Sequence, residues 1–199
     1  MDKITLGNTY EAVVDFTPLS DVTALVDANY RLSVPAALKI GAVRGDGVSM
    51  GAPSITPEKN PFYAASSGTD VSLGNVTAGD TSITVSMYIS QAVVDAINSA
   101  SEDVYLYLAD GSGNYFKVPV KDAGYDATSG TATINFAAPV PVDGSVHTCG
   151  GYNPVYRAEF SPLNTGNYLL TVVYGSQVVG RRAVVVEPAQ GASESPVLV

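Results

Sequence analysis

Ser82-Ile83-Thr84-Val85-Ser86-Met87-Tyr88-Ile89 sets apolar side chains at its odd positions and mostly hydroxyl-bearing ones at its even positions. A period of two marks a strand with one buried face, because successive side chains on a strand point to opposite sides. The pattern returns in Val104-Tyr105-Leu106-Tyr107-Leu108, followed by Ala109-Asp110-Gly111-Ser112-Gly113-Asn114 and a second run, Tyr115-Phe116-Lys117-Val118-Pro119-Val120. Two such runs about a Gly-rich loop predict a hairpin. Pro119 has no N–H to give to a ladder, which predicts an edge position for its strand. Further strands are expected over residues 10–16, 36–43, 131–136, 156–160, 168–174 and 177–186, the last two flanking a Gly175-Ser176 turn. Helical spacing is confined to residues 90–100, with Ser90 as N-cap and Val93, Val94 and Ile97 on one face, and to a weaker stretch over 20–28.

The chain has 199 residues, 46% of them hydrophobic, enough to build a core. Nineteen acidic against ten basic residues give a net charge of −9, and apart from Arg181-Arg182 the basic residues are scattered. Displacing counterions from a nucleic-acid backbone takes clustered cations, so no nucleic-acid partner is expected. The apolar stretches fall far short of the roughly 20 residues of a membrane span, so no membrane partner is expected either. One cysteine, Cys149, allows no intrachain disulfide and no multi-cysteine zinc site. The chain opens Met1-Asp2-Lys3-Ile4-Thr5-Leu6-Gly7-Asn8, where a secretory signal would place about 7–15 apolar residues. Surface-type β composition without a leader suits a protein made in a cytoplasm and released by lysis.

Between about residues 69 and 188, strands and turns recur at the spacing of a β-sandwich, so the expected fold class is all-β. Phe160-Ser161-Pro162-Leu163-Asn164-Thr165-Gly166-Asn167-Tyr168-Leu169-Leu170-Thr171-Val172 resembles the corner leading into the penultimate strand of immunoglobulin-like domains. That resemblance implies that Tyr168 turns its hydroxyl back to the backbone of the corner and that Gly166 permits the approach. Leu170 stands where antibody domains carry a cysteine, as in disulfide-free members of the superfamily. The expected organisation is an immunoglobulin-like β-sandwich over residues 68–189 that folds alone. It is preceded by a proline-punctuated β or extended anchoring region, 1–67, and followed by a tail, 190–199. Residues 45–67 carry almost no periodic signal and are too long for an ordinary connection. They are expected either to complete a small β subdomain with an extended arm or to order against neighbouring subunits. The tail ends in Val197-Leu198-Val199, which either docks on another subunit or frays.

His147-Thr148-Cys149 raises the question of a thiolate–imidazole pair. No orienting group or oxyanion site can be named beside it, so no catalytic, metal or cofactor site is expected and His147→Ala and Cys149→Ala should leave the role intact. Arg44-Gly45-Asp46 matches the tripeptide that integrins bind, and is expected to be a turn with a solvated ion pair. Asn75-Val76-Thr77 is a glycosylation sequon by letter, expected at a strand end. Asp110-Gly111-Ser112-Gly113-Asn114 spaces oxygens as calcium loops do, but Lys121 stands where the closing acid belongs, so a hairpin tip is expected. Tyr105 and Tyr107 share one strand face, which makes them candidate interface residues together with Val197, Leu198 and Val199, or alternatively a sugar-stacking platform. In combining a sandwich, an acidic surface and a proline-punctuated arm, the chain resembles bacteriophage virion proteins. The expected role is that of a non-enzymatic capsid-decoration, head-fibre or tail-associated subunit in the virion. Its expected partners are a capsid or tail protein and further copies of itself. The alternative is a bacterial cell-surface adhesin or carbohydrate-binding module lacking its signal peptide.

Overall fold

In a computed structural model of the chain, which describes residues 1–51 and 53–189, the apolar alternations form thirteen strands and the fold is all-β. They are β1 (Asp2–Thr5), β2 (Tyr10–Asp15), β3 (Leu38–Arg44), β4 (Ser54–Lys59), β5 (Ser72–Val76), β6 (Ser82–Val85) and β7 (Val104–Ala109). Then follow β8 (Tyr115–Asp126), β9 (Thr131–Phe136), β10 (Gly144–His147), β11 (Tyr152–Phe160), β12 (Gly166–Tyr174) and β13 (Gln177–Glu187). Helices α1 (Tyr63–Ser66) and α2 (Gln91–Ser99) are short, and among the described residues no helix is long and apolar enough to cross a membrane.

The strands belong to two compact units whose boundaries differ from those expected. Unit 1 takes residues 1–14, 36–56 and 157 to the last described residue, and unit 2 takes 15–35 and 57–156. The division at 67/68, and the independent sandwich over 68–189, are therefore corrected. Four strands of the N-terminal region, β1 to β4, are sheet members, and β12 and β13 find their neighbours among them. Periodicity reveals strands but not their partners, and these partners lie at the far end of the chain. The tail expectation for Val197, Leu198 and Val199 lies outside the described residues.

Unit 1 contains a four-stranded sheet in the order β1-β13-β12-β3. β12 runs antiparallel to both β13 and β3, and β1 runs parallel to β13, with Asp2 opposite Val184 and Thr5 opposite Glu187. β2, β11 and β4 form a three-stranded sheet in that order. Alternation decides the inward face: Leu38, Ile40 and Ala42 on β3 and Tyr168, Leu170 and Val172 on β12 are buried, while Lys39, Val43 and Leu169 between them are exposed. The Tyr168 hydroxyl donates to the Asn164 carbonyl at 3.0 Å and the ring is buried. Gly166 sits at φ +139°, where an added Cβ would lie 2.6 Å from the Arg44 side chain. Tyr168→Phe is expected to cost about 0.5–1.5 kcal/mol, the net worth of one such bond, read as a lowered urea midpoint. An unchanged midpoint would remove the bond from the energetics.

Unit 2 contains a six-stranded sheet in the order β5-β10-β7-β8-β9-β6, curled until its edge strands β5 and β6 approach each other in a nearly closed barrel. Leu73, Ile83, Leu106, Val118, Ile134 and Val146 fill it, joined by Val93, Val94 and Ile97 from α2. Ser90 occupies the cap position of α2, giving its carbonyl to Val93 and Val94 but no side-chain cap bond. Where β8 runs on beyond the start of β7, Asn98 of α2 takes the missing strand's place: its amide donates to the Ala123 carbonyl at 2.8 Å and accepts from the Ala123 N–H at 2.9 Å.

The edge expected for Pro119 is corrected, since β8 lies between β7 and β9. The proline is tolerated there because β9 ends at Phe136, and Ala137 donates to the Pro119 carbonyl just past the ladder. At the start of β8, residues 20–22 lie against the strand, the Val22 N–H donating to the Tyr115 carbonyl and the Lys117 N–H to the Ser20 carbonyl. The helix expected over 20–28 shrinks to a 3-10 turn at Thr23–Leu25, since these residues satisfy their backbone against β8 instead.

Candidate functional site

The histidine, the cysteine and a carboxylate come together where β10 ends. His147 pairs with both Ser72 of β5 and Tyr107 of β7, then the chain leaves the sheet. Thr148 locks the exit by donating its N–H to the Val71 carbonyl while its hydroxyl oxygen accepts from the Val71 N–H. Cys149, Gly150 and Gly151 follow at φ +46°, +81° and +74°, three successive left-handed residues, of which only the glycines adopt that region freely. Asp70 holds the turn with both oxygens, one 2.6 Å from His147 Nδ1 and the other accepting from the Cys149 N–H at 2.9 Å. The Cys149 carbonyl accepts from Leu32.

Around this turn the aromatics collect. Tyr30 lies nearly parallel to the His147 ring with centroids 6.2 Å apart, and Tyr115 meets it edge-on at 6.3 Å. Burial pushes the Tyr115 hydroxyl up to about 12, with Cys149, Asp70 and Tyr30 adding to it. Burial, reinforced by the charges of Asp70 and Asp27, also raises the Cys149 thiol well above its ordinary value, so the sulfur is held as a neutral thiol. A nucleophilic cysteine needs the opposite, a lowered value and an accessible thiolate. Asp70 does orient His147, and lies 77 residues from it in sequence, which is why it was not found there. Among the described residues His147 Nε2 has no hydrogen-bond partner and is not fully buried. In this arrangement a carboxylate closes a left-handed turn and fixes an imidazole. A thiol reagent at about pH 8 is therefore expected to label Cys149 only after unfolding. Rapid labelling of the native protein would mean an accessible, activated thiolate.

Tyr105 and Tyr107 are corrected as exposed candidates: they are 5% and 0% exposed. Their face of β7 is covered rather than solvated. The Tyr107 hydroxyl donates to the Tyr152 carbonyl at 2.7 Å, and Tyr105 bonds Asp103 and carries the Lys117 ammonium 4.7 Å above its ring. Alternation assigned the tyrosines to one face, but it does not say what lies against a face. Arg44 and Asp46 bind each other through two bonds of 3.1 and 2.8 Å, and Arg44 also reaches the Thr165 carbonyl, which is the turn expected. Asp110 accepts from the N–H groups of Ser112 and Asn114 at the β7–β8 hairpin tip, and Asn75 stands near the end of β5.

Large apolar side chains are also exposed away from this turn, Leu163 and Val13 among them. Val43 and Leu169 face each other across β3 and β12 at 45% and 49% exposure, and in unit 2 Met87 and Tyr88 project from the loop before α2 at 65% and 56%. Tyr88 is held at φ +71°, a conformation an aromatic residue rarely adopts. Comparison of the chain with protein-family models, with curated proteins and with solved structures finds no match in any of the three.

Proposed function

We propose that this chain is a non-enzymatic structural protein of a virus particle, a bacteriophage capsid-decoration, head-fibre or tail-associated subunit that acts through protein–protein contacts. The observation that carries the reading is the exposed aliphatic face on β3 and β12, which the fold does not use for its own core. Contiguous apolar surface on a folded protein marks a contact site. The immunoglobulin-like part of the proposal has its support in strand order. Immunoglobulin sandwiches pair strands B-E-D in one sheet and C-F-G in the other, and β2-β11-β4 and β3-β12-β13 follow that order with the Tyr168 corner on the F equivalent. On this reading the barrel strands are an insertion between the D and E equivalents. Fold alone assigns no function. Mass spectrometry of purified particles is the test: the chain should be present at a fixed ratio to the capsid or tail protein. Its absence from particles made by cells that express it would refute the proposal.

One observation favours the alternative, a bacterial surface adhesin or carbohydrate-binding module. Tyr30 is 55% exposed at φ +58° beside His147, where a sugar ring would find an aromatic face. Glycan-array binding that disappears in Tyr30→Ala would establish it.

A further inference from the structure

The charges of this chain are segregated. Unit 2 carries thirteen carboxylates against four basic side chains, Arg31, Lys59, Lys117 and Lys121, a net of −9, whereas the described residues of unit 1 carry five against six. The outer face of the unit 1 sheet reads in rows across β3, β12 and β13: Val43-Leu169-Ala183, Gly41-Thr171-Arg181 and Lys39-Val173-Val178. Lys39 and Arg181 have no ion-pair partner among the described residues. The centre is a shallow hollow of about 370 Å³ floored by Gly41, where the missing side chain leaves nothing within 4 Å of the Cβ position. The hollow is thus apolar in the middle and cationic at its rim.

We infer that this hollow receives unit 2 of a second copy of the chain, in a head-to-tail contact. Charge complementarity selects that occupant: the rim is basic, and the strongest source of negative charge that accompanies it at fixed ratio is the other unit of the same protein. The acidic unit also exposes apolar side chains of its own. Ser86-Met87-Tyr88 projects two large apolar side chains, and Tyr88 is kept at a left-handed φ for no interaction found among the described residues. A heterologous contact of this kind joins copies into rings or open rows. The inference rests on the contact-based reading above and deepens it.

Sedimentation of the full chain tests it. The wild-type protein should associate in a concentration-dependent manner, and association should weaken several-fold as salt rises from about 50 to about 500 mM. Leu169→Glu places a carboxylate in the apolar centre and is expected to weaken association at least tenfold. The double variant Met87→Ser, Tyr88→Gly should do the same from the other side. Tyr88→Gly suits its backbone conformation, so misfolding is not an explanation, and circular dichroism checks both variants. A mixture of the two is decisive. One brings an intact tip and the other an intact hollow, so they should form one-to-one heterodimers that do not extend. A wild-type chain that is monomeric at every concentration would overturn the inference. So would association that both variants leave unchanged, or loss in Leu169→Glu alone with no rescue on mixing, which would indicate face-to-face pairing. A monomeric chain still found in purified particles would sink self-association and leave the particle reading intact.

Discussion

Tyr107→Ala is expected to destabilise the protein by about 3–5 kcal/mol, the range for removing a large aromatic from a packed interior. The ring is fully buried in β7, a strand with five successive buried residues from Val104 to Leu108, so both of its faces are covered. Tyr107→Phe keeps the ring and removes only the bond to the Tyr152 carbonyl at 2.7 Å, which is expected to cost about 0.5–1.5 kcal/mol. Chemical denaturation of the two variants separates packing from hydrogen bonding. A tyrosine standing on an open sheet face would tolerate alanine within about 0.5 kcal/mol, and that result would restore Tyr107 as a surface residue.

Gly151→Ala is expected to cost about 2–5 kcal/mol, adding a left-handed conformation for an L residue to an overpacked contact. Gly151 stands at φ +74°, and a Cβ there would fall 2.1 Å from the Tyr63 nitrogen and 2.3 Å from its Cα. Backbone atoms cannot swing away as a side chain does, so relief requires α1 or the left-handed turn to move. Gly111→Ala in the same unit is the control: its φ is not in the left-handed region and nothing lies within 4 Å, so its midpoint should change little. Equal midpoints for the two variants would show that the turn after β10 yields easily, and would weaken the packing assigned to Asp70, Thr148 and Cys149.

Local signals in the sequence carried far and then stopped at a definite kind of information. The period-two run at residues 82–85, the 104–120 hairpin, α2 with its face of Val93, Val94 and Ile97, and the β12–β13 turn at Gly175-Ser176 are all properties of neighbours in sequence. So is the Tyr168 corner, whose bond spans four residues. The partnerships were not legible. β1 is a four-residue strand whose only reason to exist is a parallel neighbour at residues 184–187, and β5 and β10 are similarly short. Asp70 was invisible as a partner of His147 for the same reason. Strand ends such as Ser86 to Ile89, which continue the alternation but leave the sheet, show that periodicity also overruns where a loop happens to be apolar.

The pairing of β1 with β13 brings the first strand of the chain into the unit 1 sheet, whose β12–β3 pairing makes the outer face that bears Val43 and Leu169. Hydrogen exchange read by mass spectrometry tests that pairing most directly. Peptides covering residues 1–6 should be protected and should exchange with the same opening free energy as those covering β13, because Leu6 and the strand before it bond to residues 184–187. Residues 1–6 exchanging at the unprotected rate while β12 and β13 remain protected would contradict it, and would return the N-terminal region to the extended arm that its prolines suggest.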